Sequence, residues 1–383
     1  MQIAALKALC GTLWLTGGSV AETGFEQLRE LCALSGDRTS LAIGMAGIVM
    51  TLTGHNCHRE AAQLSSELAA LIESIGDPGL TCGLLLAVTY AKSEIGEMTE
   101  ALCLAERVIE LADDDRAMGY MFMGSPLAGA IRMRGLYRMC LGIKGWRSDA
   151  EAAITMAAPL YPTSHVAAIM YKYILSIPVG ALLADSVALR ETAEALQIAE
   201  KAGDDFTLVQ AQLARGLVLV HHDGLQREGV RLLTRARDAA VKQGFTMNAL
   251  ALADPEIARE KARNGDLDGA IELSRSAIAD MYDTGAVISL GVATKVLVES
   301  LLARGADGDL QEAQAAIDRL ASVPREPGLV LHELPLLWLR SRMAQVHGDH
   351  AASRQFMQDY RATAAAADFE PLVAAADAGD SPP

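Results

Sequence analysis

Aromatic side chains are scarce in this 383-residue sequence: three Trp, eight Tyr and six Phe make up 4% of a chain that is 51% hydrophobic. The apolar volume therefore comes mainly from Ala, Leu, Ile, Val and Met, a helix-packing mixture rather than the aromatic-rich one of sandwiches and barrels. Cysteine is sparse as well. Six stand singly at positions 10, 32, 57, 82, 103 and 140 with no CxxC pair, which speaks against a disulfide framework and for free, mostly buried thiols in a reducing cytoplasm, the expected location. Positive charge is in deficit, with 33 Lys and Arg against 48 Asp and Glu and a net charge of -15. Phosphate backbones and anionic lipid surfaces are repelled by such a balance, so neither nucleic acid nor membrane is an expected partner.

Long apolar runs are missing too. The most membrane-like stretch, Ala152 to Ala184, has Lys172 as its only formally charged residue, but Pro159, Pro162 and Pro178 break it into pieces too short to span a bilayer. A pair of buried helices is expected there. Met1 to Leu15 carries only Lys7 as positive charge and leads into Gly17-Gly18-Ser19 without a clear cleavage site, so no secretory signal is read. Mean hydropathy of +0.21 with 21% charged residues excludes disorder over most of the chain.

Catalytic motifs are absent in turn: the sequence holds no GxxxxGK[ST] loop, GxGxxG, HExxH or GxSxG. His55-Asn56-Cys57-His58 is the densest group of metal-type donors, but consecutive residues at a helix start seldom converge on one ion and no second pair follows. His221-His222 are read as a turn, and Asp113-Asp114-Asp115 as a solvated helix end, because the alternating ligands and terminal Glu of a calcium loop are missing. No catalytic, cofactor-binding or metal-binding residue is assigned, and no cofactor is expected. Trp14, Trp146, Trp338 and the stretch from Tyr161 to Tyr173 are the side chains from which a ligand groove could be built. In helical arrays aromatics more often fill gaps between repeats.

What the sequence does have is periodicity. Met98, Ala101, Leu102, Ala105, Val108, Ile109 and Ala112 step by three and four, one face of an α-helix. The same offsets recur from His58, from Leu267, from Leu310 with Gln314 interrupting, and more weakly from Gly229. Neighbouring copies stand about 40 residues apart, room for two helices and two turns. The turns are punctuated by Gly36-Asp37, Gly76-Asp77, Gly96-Glu97, Gly203-Asp204, Gly265-Asp266, Gly308-Asp309 and Gly348-Asp349. Each glycine suits the left-handed end of one helix and each acid the positive end of the next. Asp77-Pro78 and Ser125-Pro126 add an N-cap followed by proline.

A short helix with one apolar stripe cannot bury it alone, whereas stacked pairs cover one another. The expected fold is all-α: a tetratricopeptide-like α-solenoid of about nine antiparallel helix pairs over residues 1–373. Segment 113–186 is its least regular part, and residues 374–383 are expected to form a frayed tail. Ile3, Leu6, Leu9 and Leu13 predict a first helix with an apolar side.

Several segments go beyond periodicity. Leu71-Ile72-Glu73-Ser74-Ile75-Gly76-Asp77-Pro78, Tyr90-Ala91-Lys92-Ser93-Glu94-Ile95-Gly96-Glu97-Met98 and Arg259-Glu260-Lys261-Ala262-Arg263-Asn264-Gly265-Asp266, with 195–205 and 297–306, resemble the C-terminal helical-repeat region of actinobacterial adenylate/guanylate cyclase-type regulators. In that family a class III cyclase domain, often followed by an AAA-type ATPase module, precedes a long tetratricopeptide-like tail. The resemblance spans nearly the whole chain but rests on scaffold phrases. It implies a detached or stand-alone regulatory module, since no residue here corresponds to the cyclase aspartates or the P-loop. The expected function is accordingly non-catalytic: a scaffold or regulator that binds a protein partner, its binding face unassigned and self-association left open. The alternative is a small-molecule sensor with its ligand in the solenoid groove, first to be sought in segment 113–186.

Overall fold

The computed structural model describes residues 1–121, 124–158, 162–244, 249–323 and 329–378. Among them are nineteen α-helices and no strand. The chain opens with α1 (Gln2–Thr12), 3-10 turns at Leu13–Thr16 and Val20–Thr23, and α2 (Phe25–Ser35). Antiparallel pairs follow: α3 (Arg38–Gly54) with α4 (His58–Ile75), α5 (Pro78–Glu94) with α6 (Met98–Ala112), α7 (Pro126–Cys140) with α8 (Trp146–Ala157), and α9 (Pro162–Tyr173) with α10 (Ser186–Ala202). The second half repeats the plan with α11 (Asp205–Val220) and α12 (Gln226–Gln243), α13 (Ala249–Arg263) and α14 (Leu267–Thr284), α15 (Leu290–Arg304) and α16 (Asp309–Ser322), and α17 (Val330–Val346) and α18 (His350–Ala366). A last helix, α19 (Glu370–Ala378), closes the array.

Eight pairs are therefore present among the described residues where about nine were expected, because α1, α2 and α19 cap the ends instead of completing a pair. The second helices begin at 58, 98, 146, 186, 226, 267, 309 and 350. Their spacing is the expected 40 residues or so, with one longer step that accommodates the irregular residues after α6. Two expectations are met only in part. Ala152 to Ala184 holds the end of α8 and the whole of α9, and no helix follows α9 within it. After α9 the chain turns through Ile174, Leu175, Ser176 and Ile177, all buried, held by bonds such as Ile177 N to Tyr173 O and Leu182 N to Ser176 O. Pro178 denies this run the amide donor a second helix would need. Residues 374–378, expected to fray, are the last turns of α19 with Leu372 fully buried beneath them; 379–383 lie outside the described residues.

The glycine-acid punctuation works as its chemistry requires. Gly36, Gly76 and Gly203 take φ of 72°, 72° and 73°, and the acid after each caps the next helix: Asp37 accepts from Ser40 N at 2.9 Å, Asp77 from Leu80 N at 2.6 Å, Asp204 from Thr207 N at 2.7 Å. Such a cap contributes about 1 kcal/mol. Glu97 and Asp309 depart from the pattern; Glu97 takes the Lys92 ammonium at 2.7 Å and Asp309 takes Arg304 through both oxygens.

The two helices of a pair differ in kind. The second is amphipathic, like α6, whose buried residues are Met98, Ala101, Leu102, Ala105, Val108 and Ala112. The first is buried on nearly every side; in α5 every residue from Leu80 to Glu94 is buried. The first helices form the inner layer, the second the outer.

Inner helices are enclosed because the superhelix meets itself. Arg59 on α4 donates to Asp283 O at 3.0 Å and Tyr282 O at 2.6 Å, at the carbonyl-rich end of α14. Val287 N donates to Glu94 O at 3.1 Å, and Trp146 Nε1 to Ala367 O at 3.1 Å. Trp14 meets Phe206 edge-on with ring centroids 5.4 Å apart. With α3/α4 as pair one, each contact joins a pair, or the capping segment before the first, to the one five further along. About five pairs thus complete a turn, and successive turns touch. Gly17 shows how closely: with φ of 72°, a Cβ there would sit 1.7 Å from Gln243 O.

Candidate functional site

The 3-10 turn after α1 and the inner helices α3, α5, α7, α9 and α11 surround a cavity of about 760 Å³, which also reaches the end of α12. Trp14, Met50, Tyr90, Met133, Tyr171 and Phe206 supply an apolar and aromatic wall. Tyr120, 48% exposed, and the exposed Asp205 stand at its rim. A void of about 60 Å³ adjoins it behind Tyr90, Tyr171, Phe206 and Gln210, lined further by Ser93, Glu94 and Ser289. The volume lies within the range of small-molecule sites.

Polar groups in this wall are incompletely paired. Arg132 on α7 is half-buried, its guanidinium lies over the Tyr171 ring at 4.6 Å, and its Nε is shielded from solvent without a hydrogen-bond partner. Gln210 Oε1 and Gln243 Oε1 are likewise shielded and without partners. An orphaned buried polar group typically costs about 1–3 kcal/mol, so these three leave unsatisfied hydrogen-bonding capacity in the cavity wall. Burial raises the pKa of the Tyr90 and Tyr171 hydroxyls, keeping both as neutral phenols. Thr207 Oγ1 donates to Thr163 Oγ1 at 3.0 Å and ties α11 to α9 beside the cavity.

A second buried polar group lies between α11, α13, α15 and α17. Glu256, with no exposed surface, meets His221 Nε2 at 2.9 Å and Arg259 Nη2 at 3.5 Å. Burial alone would raise its pKa, but Arg259 and His221 hold it at about 2; burial lowers that of His221 despite the carboxylate. Nearby, Trp338 Nε1 donates to Glu299 at 2.8 Å while the Lys295 ammonium lies 5.8 Å from the Trp338 ring centre. Burial pulls the Lys295 pKa from 10.5 down to about 8. Between those values the unfolded chain binds the extra proton, so this lysine weakens the fold fully below pH 8 and the penalty fades as pH rises to 10.5. At 1.36 kcal/mol per unit the penalty is up to about 3 kcal/mol. Lys295→Met is expected to be more stable than the native chain at pH 7 in urea unfolding, with the gap narrowing at pH 10. A less stable variant at pH 7 would show that the cation's contacts outweigh its desolvation.

The residues that the sequence offers as metal ligands do not converge. His55 Nδ1 turns back to Thr51 O at 2.8 Å, while His58 is packed with no exposed surface, its pKa lowered to about 4 by burial. Asp113 and Asp114 take left-handed φ of 43° and 64° at the exposed end of α6. Among the described residues no group of three or more His, Cys, Asp or Glu is placed to hold a metal ion. Of the tryptophans only Trp14 lines the cavity; Trp146 and Trp338 pack between helices. Tyr171 reaches the cavity, Tyr173 is buried and donates to Glu191 at 2.7 Å, and Tyr161 lies outside the described residues. His221 lies in the expected turn at the end of α11, and its ring is in addition half of a buried pair with Glu256.

The fold defines an all-α array of stacked helix pairs, and among the described residues no helix is long and apolar enough to cross a membrane. No family model matches the chain, and no curated protein matches it.

Proposed function

We propose that this chain is a non-catalytic sensor module that holds a small organic ligand in its axial cavity and passes the ligand's presence to a protein partner. The observation that carries this reading is the 760 Å³ cavity itself, walled by aromatics and by three incompletely paired polar side chains. Its position supports a role in signalling. Trp14 and Phe206, which meet across the seam between turns, both line it, so an occupant touches two turns at once. A ligand with different affinity for closed and open seams shifts that equilibrium by the difference. The resemblance to cyclase-type regulators extends the proposal: the receiver would be a signalling domain acted on in trans. An extended peptide along the inner face has less support, because successive turns already touch along their edges.

Thermal-shift measurement on the full chain against a metabolite library tests the reading. A true ligand at 100 times its dissociation constant adds about 2.7 kcal/mol. The shift should vanish in Ala167→Trp, which fills the cavity from α9. A library without a hit, or hits indifferent to that substitution, would sink the proposal.

A further inference from the structure

Arg132 identifies the chemistry of the occupant. Its neighbours on α7 are neutralised from within: Arg134 and Arg138 share the Asp149 carboxylate at 2.6 Å and 3.0 Å, and Arg138 also reaches Glu106 at 2.9 Å. Arg132 makes no ion pair or hydrogen bond among the described residues, although the chain carries an excess of acids. Of the acids around the cavity, Asp204 is committed to capping Thr207, Asp205 is exposed at the rim, and Glu94 lines the adjoining void behind Tyr90 and Tyr171 without an ion pair to Arg132. The Tyr171 ring covers one face of the guanidinium. Its in-plane nitrogens are left for an acceptor, and the fork of a guanidinium matches a carboxylate. Around it, Trp14, Tyr90, Tyr171 and Phe206 offer faces and edges to a flat ring, and the amides of Gln210 and Gln243 lack a donor for their oxygens.

Resting on the cavity being a ligand site, we infer that it takes an aromatic carboxylate whose acid group pairs with Arg132 and whose ring carries an N–H or O–H for a glutamine oxygen. The neutral amide of the same ring system fits the walls equally but leaves the arginine without its counter-charge.

The experiment is calorimetric titration of the full chain with indole-3-acetate and, in parallel, indole-3-acetamide. The acid is expected to bind about tenfold or more tightly than the amide. Arg132→Met should bring the two to equal affinity, and Arg132→Lys, which keeps charge but not the planar fork, should give an intermediate ratio. The comparison of the two probes on the native chain needs no variant, so a misfolded substitution does not obscure it. Equal binding of both probes, an acid preference that survives Arg132→Met, or no binding of the acid at millimolar concentration overturns the inference. Equal binding that Ala167→Trp abolishes would remove the carboxylate while leaving the cavity as a ligand site, so the two failures are distinguishable.

Discussion

Trp146→Ala is expected to cost about 3–5 kcal/mol of unfolding free energy, the range for emptying a large aromatic site in a core. Trp146 is 2% exposed at the start of α8, its indole N–H donates to Ala367 O, and its ring meets Phe369 edge-on with centroids 5.8 Å apart. Arg147 lies over the same indole at 4.4 Å and donates to Ala181 O and Asp368 O. One side chain therefore fills its own pair and clasps the third pair to the segment after the eighth. Trp146→Phe keeps an aromatic ring but removes the donor and part of the indole's volume, so it should lose less than the alanine variant, about 1–3 kcal/mol, with the unpaired Ala367 carbonyl a main part of it. Urea midpoints for the three proteins decide the matter, with proteolysis near α18 and α19 reporting the opened clasp. An alanine variant within about 1 kcal/mol of the native chain, a limit well below the cavity range, would mean that the clasp contributes little.

Glu256→Gln should be nearly as damaging, at about 3–5 kcal/mol, because it removes the anion from a site that keeps its cations. Arg259 contacts this carboxylate directly and Arg263 acts on it through its charge, while His221 would face a neutral amide in place of its carboxylate. The pH dependence gives a second readout. The Glu256 pKa is about 2 in the folded chain against an ordinary 4.5 in the unfolded one, so its stabilisation is complete above 4.5 and is lost as pH falls towards 2. The difference between native and variant chains should therefore shrink between pH 6 and pH 3. A loss under about 1 kcal/mol at pH 7, or one that does not shrink in acid, would contradict an anion paired at this site.

How far the sequence carries can be traced to particular helices. The apolar stripes beginning at His58, Met98, Gly229, Leu267 and Leu310 fall on α4, α6, α12, α14 and α16, all of the outer layer. Only a helix with one wet side writes a stripe. Inner helices such as α5 are buried all round and carry no such signal, so their existence follows from the spacing between outer copies. The glycine-acid turns are legible because their chemistry is local. The seam is not: the partners of Arg59 and Trp146 lie 224 and 221 residues away, beyond any pattern of neighbours. The pairing of His221 is hidden for the same reason, its carboxylate being 35 residues on. The cavity was half legible. Of its wall, Tyr120, Arg132, Thr163 and Tyr171 come from the irregular segment 113–186, while Trp14, Phe206 and Gln243 arrive only through the superhelical turn.

That seam also sets a timetable for the nascent chain. A nearest-neighbour array can fold pair by pair as it emerges, but Arg59 must wait for Asp283 and Trp146 for Ala367. At about 5–20 residues per second, some 220 residues take roughly 10–40 s to synthesise. During that interval the edges of the first turn face water, so co-translational aggregation should be most sensitive to changes at those edges, and closure of the seam should be the late, slow phase of refolding.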